Sequence, residues 1–282
     1  MTRYRAEMTD ERPLDDQLTA HEDGGVLRLT LNRPEAANAV TPDQRDRLID
    51  LLADAGARVE VRAVVITATG KHFCTGADLR HSRPGPVRPD GAPDRVVGDV
   101  SRMIAEGAQR LMTSVLVCPR RVIAAVNGTA AGIGAHLALA CDLVIAAESA
   151  RFIEVFVRRG LVPDGAGAYL LPRLVGLQKA KELMFFGDAV SATDAERLGL
   201  VNRVVPAEDL DKVAGEWADR LAGGPTRAIG LAKGLLNRSL DADRATALHD
   251  EALAQELNMT THDANEGVDA FVERRDPIYR GW

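Results

Sequence analysis

The chain has 282 residues, a formal net charge of −6 and only 4% aromatic residues. An acidic balance argues against nucleic-acid binding, which needs a clustered basic surface. Residues 1–25 lack the apolar segment of a signal peptide, and no apolar run approaches the roughly 18 residues of a membrane span, so we expect a cytoplasmic protein without membrane contact. Cys74, Cys118 and Cys141 lie in or beside apolar segments without metal-ligand spacing, which predicts buried thiols and no metal site.

Strands and helices are predicted to alternate through the first half of the chain. Alternating or continuous apolar runs predict strands over Val26–Leu31, Val61–Thr67, Val122–Val126 and Leu143–Ala147. Helical spacing of apolar residues predicts helices over 41–57, 94–117 and 132–140. The Pro-, Gly- and Arg-rich residues 81–95 predict an irregular loop. This alternation is typical of an α/β fold.

The segment Val122–Asp142 carries the strongest local signal. A buried strand is followed by Asn127-Gly128, and Gly132-Ile133-Gly134 then opens a helix. Glycines let backbone N–H groups approach a ligand closely, and the first turn of a helix leaves several N–H groups unpaired. This junction therefore suits an anion or a developing oxyanion.

After Pro172 the chain is predicted to be mostly helical. Helical spacing predicts helices over about 177–187, 191–198, 207–222, 226–240 and 243–262, with one short strand over 201–205. We divide the chain into a mobile N-terminal arm (1–25), a core (26–205) and a C-terminal helical region (206–282).

Several segments together resemble the enoyl-CoA hydratase/isomerase (crotonase) family. They include LNRPEAANA, FCTGADL and the glycine-rich junction, and they occur in one order, at Leu31–Ala39, Phe73–Leu79, Pro119–Asp142, Gly160–Asp164, Leu170–Gly176, Gly187–Val205 and Phe271–Arg275. The resemblance implies a crotonase-type spiral of β-β-α turns with the acyl-CoA site in the core. It further implies that the C-terminal helices assemble a homotrimer or a dimer of trimers.

The same resemblance implies an acyl-CoA thioester substrate and no separate cofactor, since CoA is part of that substrate. Carried over by position, the two backbone N–H groups that polarise the thioester carbonyl fall on Ala77 and Ile133. The residues expected to contact the acyl group or CoA are Ala37, Asp78, Leu79, Arg80, Phe156 and Arg274. Arg274 could meet a CoA phosphate, and Asp78 could instead hold its loop.

The chain departs from the family where hydratases carry two glutamates. Those positions hold His136 and Phe156. Glu154 lies two residues from Phe156, about 200° around a helix, so it is expected to face elsewhere as a surface or salt-bridge residue. Hydration needs a water that is held and deprotonated, and this pattern lacks the usual pair of acids.

Asp164 remains as the candidate base, since isomerases of the family carry a carboxylate in the matching Gly-Leu-x-x-Asp. Nearby Phe156, Leu161 and Val162 are expected to exclude water and favour its protonated form. Asp164 could instead cap the helix that follows. His136 could be a proton donor, a hydrogen-bond partner of the substrate, or a residue that only shapes the acyl site.

The resulting hypothesis is an enzyme that converts a 3-enoyl-CoA to a 2-enoyl-CoA, with Asp164 and His136 as the catalytic candidates. Three alternatives stay open. They are an enoyl-CoA hydratase, a C–C bond hydrolase that uses His136 and Asp164, and an acyl-CoA-binding scaffold without catalysis.

Overall fold

The computed structural model describes residues 12–81, 88–93 and 96–282, and within them the chain forms two sheets surrounded by helices. The larger sheet contains β1 (Leu18–Asp23), β2 (Val26–Leu31), β3 (Ala63–Ala68), β5 (Arg121–Val126), β7 (Leu143–Ala147) and β10 (Arg203–Val205). The smaller sheet contains β4 (His72–Cys74), β6 (Thr129–Ala131), β8 (Arg151–Ile153) and β9 (Ala189–Ser191).

From β3 to β8 the strands follow a spiral in which consecutive strands alternate between the two sheets. β3, β5 and β7 are parallel neighbours in the larger sheet, and β4, β6 and β8, which follow them in the chain, are parallel neighbours in the smaller one. Each pair of strands is followed by one or more helices. The predicted spiral of β-β-α turns is therefore confirmed.

Helices cover the sheets and extend beyond them. Their bounds are α1 (Leu14–Gln17), α2 (Pro42–Ala57), α3 (Asp99–Ile104), α4 (Arg110–Val117), α5 (Ile133–Ala140), α6 (Gly167–Val175), α7 (Leu177–Phe186), α8 (Ala192–Arg197), α9 (Leu210–Ala222), α10 (Thr226–Ser239), α11 (Arg244–Asn258) and α12 (His262–Glu273). A π-helical turn over Ala105–Gln109 joins α3 to α4. The predicted start of this helix at residue 94 is outside the described residues, and the helix begins at Asp99.

The N-terminal region is more ordered than predicted. β1 lies within the predicted mobile arm 1–25, yet it pairs antiparallel with β2 from Leu18 to Asp23. Leu18 is buried under the sheet edge, which explains why this stretch is held in place. The prediction of a mobile arm is thus wrong for residues 18–23, while residues 1–11 lie outside the described part of the chain.

Two apolar layers flank the larger sheet. One contains the smaller sheet together with α2, α4 and α5, and it includes Phe73 and Leu137. On the opposite face α9 packs against β3, β5 and β7 through Leu210, Ala214 and Ala218. Helix α9 therefore closes the core, although it lies in the segment predicted to mediate oligomerisation.

The remaining C-terminal helices expose apolar side chains in the single chain. The exposed residues include Leu236, Leu240, Leu248, Leu253, Leu257, Phe271 and Val272. Trimer formation through this region stays a prediction. Among the described residues no helix is both long and apolar enough to cross a bilayer.

Candidate active site

The glycine-rich junction places the start of α5 against the end of β4. The short strand β6 lies between β5 and this helix, after the Asn127-Gly128 break that follows the predicted strand. Gly134 lies so close to β4 that a Cβ atom at this position would overlap the carbonyl oxygen of Cys74 and lie 2.7 Å from its Cβ atom. A residue with a side chain would push the first turn of α5 away from β4.

Ile133 is the first residue of α5, so its N–H has no partner within the helix. Gly76 has φ 113°, a conformation that favours glycine, and a Cβ atom there would lie 4.0 Å from the Ile133 nitrogen. The Gly76–Ala77 segment therefore faces the start of α5. Among the described residues no hydrogen bond is donated by the N–H of Ala77 or by that of Ile133.

Backbone pairing with Val40 orients the Ala77 N–H. Val40 donates to the Gly76 carbonyl at 2.8 Å, and the Asp78 N–H donates to the Val40 carbonyl at 2.9 Å. In extended chain the N–H of the residue between these two groups points to the opposite side. The structure thus brings the two predicted donors to one place on neighbouring segments.

Asp78 anchors the loop that follows Ala77. Its buried carboxylate pairs with Arg33 at 3.2 Å, Arg80 at 2.9 Å and His81 at 2.9 Å. Burial opposes its ionisation, but hydrogen bonds from Arg80 and Arg33 outweigh burial and hold the pKa of Asp78 well below its usual range. Leu79 and Arg80 are exposed beside this anchor, and CoA contact by Asp78, Leu79 and Arg80 stays a prediction.

His136 and Glu154 form a buried pair that the sequence prediction missed. Nε2 of His136 lies 3.0 Å from Oε2 of Glu154, and the two residues are 0% and 6% exposed. The expectation that Glu154 faces elsewhere is wrong because it assumed a helix. Residues 151–153 form β8 instead, and Glu154 follows the strand end.

Phe156 completes one side of the histidine site. Its ring stacks on that of His136 with centroids 5.2 Å apart and an interplanar angle of 14°. Phe156 is also buried beside Gly132, where an added Cβ atom would lie 3.7 Å from the ring. The two positions where hydratases carry glutamates thus hold a stacked imidazole and phenyl ring.

Asp164 lies in the loop that packs on the first turn of α5. A Cβ atom at the following residue, Gly165, would lie 3.1 Å from Nδ1 of His136 and 3.5 Å from Cγ1 of Ile133. Oδ1 of Asp164 is buried and has no hydrogen-bond partner within the described residues. Burial raises the pKa of Asp164, and this effect outweighs the opposing influence of His136 and of the residue's own backbone N–H.

The capping interpretation of Asp164 is wrong. Helix α6 begins at Gly167, its N-cap residue is Ala166 with φ 65°, and no side chain caps it. The expected apolar shield is also only partly right, since Phe156 is buried but Leu161 and Val162 are 53% and 78% exposed in the single chain.

Two further predicted contact residues lie at the edges of this region. Ala37 adopts a left-handed conformation, and its carbonyl accepts a hydrogen bond from Oγ1 of Thr75 at 3.1 Å, which holds it beside the loop that carries Ala77. Arg274 is exposed at the end of α12. Their contacts with substrate stay predictions.

The arrangement supplies three chemical functions in one place. Two free N–H groups suit a developing oxyanion, the carboxylate of Asp164 suits a proton acceptor, and His136 adds an imidazole whose Nε2 is bonded to Glu154. Within the described ranges no group of three or more His, Cys, Asp or Glu side chains is placed to hold a metal ion.

Comparisons with known proteins agree on one family. The family model described as enoyl-CoA hydratase/isomerase matches residues 21–281. A probable enoyl-CoA hydratase from Rhodobacter capsulatus is 38% identical over 91% of this chain and 95% of its own length. A 1,2-epoxyphenylacetyl-CoA isomerase from Escherichia coli is 38% identical over 94% and 98%. Among solved structures, a putative enoyl-CoA hydratase from Streptomyces coelicolor matches with TM-score 0.84 and 36% identity, and both chains are covered completely.

Proposed function

We propose that this acyl-CoA enzyme is an isomerase. The chain belongs to the enoyl-CoA hydratase/isomerase family, which confirms the sequence resemblance. The proposed reaction moves a double bond from the 3 to the 2 position of an enoyl-CoA. The observation that carries the proposal is the buried Oδ1 of Asp164, which has no hydrogen-bond partner within the described residues and lies near the two free N–H groups of Ala77 and Ile133. Both positions where hydratases carry glutamates hold other residues at this site.

Proton transfer by one base accounts for the whole reaction. Asp164 removes the proton from C2 of a 3-enoyl thioester, and the electrons of that C–H bond form a dienolate. The N–H groups of Ala77 and Ile133 donate to the thioester oxygen as its negative charge grows. Asp164 then returns the proton to C4, which leaves the double bond between C2 and C3. Substrate and product are isomers, so the step consumes neither water nor a cofactor.

The raised pKa of Asp164 supports this role. A base works best when its pKa lies near the working pH, and burial moves this carboxyl upward from the ordinary value of about 3.9. His136 stands beside the base and partly opposes that effect. The relative named 1,2-epoxyphenylacetyl-CoA isomerase matches this chain over 98% of its own length, which is consistent with isomerase chemistry on an acyl-CoA.

Hydration is a second candidate because of Glu154. This buried acid bonded to His136 brings a second carboxylate to the region, and relatives named as hydratases match the chain closely. In that reaction His136 and Asp164 would hold and deprotonate a water. The isomerase is favoured because Oε2 of Glu154 is hydrogen-bonded to Nε2 of His136. This oxygen is therefore occupied by a protein group and is not free to hold a water.

The variant Asp164→Asn tests the proposal. The amide cannot accept the C2 proton, so we expect kcat for a 3-enoyl-CoA to fall by about 10²- to 10⁴-fold with little change in acyl-CoA binding. Asp211→Asn is a matched control, because Asp211 is exposed on α9 and pairs with Arg28. Full isomerase activity in folded Asp164→Asn protein would show that another group is the base.

A further inference from the structure

The imidazole of His136 is held from several sides. Phe156 stacks on one face of the ring. Gly167 lies so near the ring that a Cβ atom there would overlap Nε2 and Cε1 and lie 2.7 Å from Cδ2. Oε2 of Glu154 lies at hydrogen-bond distance from Nε2 of the ring, at 3.0 Å. The stacking on Phe156 and the hydrogen bond with Glu154 therefore define the orientation of the ring.

The fixed ring directs its other nitrogen toward the segment that carries the proposed base. Nδ1 of His136 is fully buried and unpartnered within the described residues, and so is Oδ1 of Asp164. A Cβ atom at Gly165 would lie 3.1 Å from Nδ1, which places this nitrogen directly against the Asp164–Gly165 backbone. Buried polar atoms without partners are costly, so a ring held in this orientation calls for an explanation.

We propose that Glu154 is a positioning residue that acts through His136. By accepting the Nε2–H, it keeps a proton on that nitrogen and leaves Nδ1 facing Asp164 and the reacting acyl group. This inference rests on the proposed function, since it assigns Asp164 as the base. It adds an acid that occupies neither of the two glutamate positions of the hydratases.

The chemistry explains why a carboxylate serves better than a neutral partner. An ionised carboxylate accepts a stronger hydrogen bond from an imidazole N–H than a neutral amide oxygen does. An acid behind a histidine acts in the same way in serine proteases, where it fixes the tautomer and orientation of the ring.

The kinetic test compares Glu154→Gln with Glu182→Gln. Glutamine keeps the size of the side chain but removes its charge, whereas Glu182 is exposed and pairs with Lys179. We expect Glu154→Gln to lower kcat for the 3-enoyl-CoA by at least about tenfold while KM changes by less than about twofold. Glu182→Gln should match the wild type. Unchanged kcat in folded Glu154→Gln would overturn the proposal.

A double-mutant cycle separates positioning from a direct effect of Glu154. If Glu154 works through His136, then Glu154→Gln should cause no further loss of kcat in a His136→Gln background. Independent, multiplying losses would mean that Glu154 acts without the histidine and would overturn the assignment.

Nuclear magnetic resonance of the wild type keeps the inference testable even if Glu154→Gln fails to fold. Protein labelled with 15N-histidine reports which ring nitrogen carries a proton, and the signals of His136 are identified by their loss in His136→Gln. We expect Nε2 to be protonated. An unprotonated Nε2 would refute the role of Glu154 whatever the activity, whereas an active Asp164→Asn variant would refute the proposed function instead.

Discussion

Replacing Gly167 by alanine tests whether the clamped histidine matters for both stability and activity. The added methyl group would overlap Nε2 and Cε1 of His136, so either the ring or the start of α6 must move. The ring cannot move easily, because it is stacked on Phe156 and hydrogen-bonded to Glu154.

Overpacking of this kind costs about 1–3 kcal/mol. The gain in helix propensity offsets at most about 1 kcal/mol, and less at the first residue of a helix. At roughly 2–4 °C per kcal/mol for a chain of this size, the net loss lowers Tm by several degrees. Displacement of the ring by about 1 Å should also reduce kcat on the order of 10²-fold.

Thermal unfolding and isomerase kinetics are measured on the same preparations. Gly215→Ala is the matched control, since Gly215 lies within α9 and no atom lies within 4 Å of its added Cβ. This control should be as stable as the wild type or more stable by about 0.5–1 kcal/mol. Wild-type Tm and kcat in Gly167→Ala would refute the view that the ring is rigidly held.

Two buried ion pairs give further predictions. Because the pKa of Asp78 is depressed in the folded chain, its contribution to stability is complete above about pH 4 and is lost as the pH falls further. Asp78→Asn should therefore lower the urea midpoint at pH 7, and the urea midpoint of this variant should decline less in acid than that of the wild type. An unchanged acid profile would contradict this role. Lys233 pairs with Asp142 at 2.9 Å and also donates to two backbone carbonyls, so Lys233→Met should cost about 3–5 kcal/mol in urea unfolding by leaving Asp142 buried without its counter-ion. A wild-type midpoint would show that Asp142 is stabilised by other groups.

The larger sheet could be predicted because its central strands are continuous apolar runs. The predicted Val122–Val126 and Leu143–Ala147 differ from β5 and β7 by at most one residue. Helix α2 could be predicted as well, since Thr41-Pro42 is typical of a helix start and apolar helical spacing follows; in the structure Thr41 is the N-cap and forms a capping box with Gln44. The smaller sheet could not be found by pattern, because its strands have three residues each and are too short to show a period.

The site was predictable in its backbone and less so in its side chains. The resemblance supplied Ala77 and Ile133, whereas local periodicity misplaced Glu154 by assuming a helix through residues 154–156. One signal could have found the pair: a histidine buried on an apolar helix needs a partner, and Glu154 follows an apolar Phe152-Ile153. The exposure of Leu161 and Val162 depends on tertiary packing, which a single apolar run does not determine.

The central claim is that one carboxylate moves a double bond without adding water. The most direct measurement offers a 3-enoyl-CoA and the 2-enoyl-CoA of equal chain length to the purified protein in heavy-oxygen water, and follows product mass. We expect an isobaric product from the 3-enoyl substrate with no uptake of labelled oxygen. A labelled product heavier by one water would contradict the account and identify a hydratase that works through His136 and Asp164.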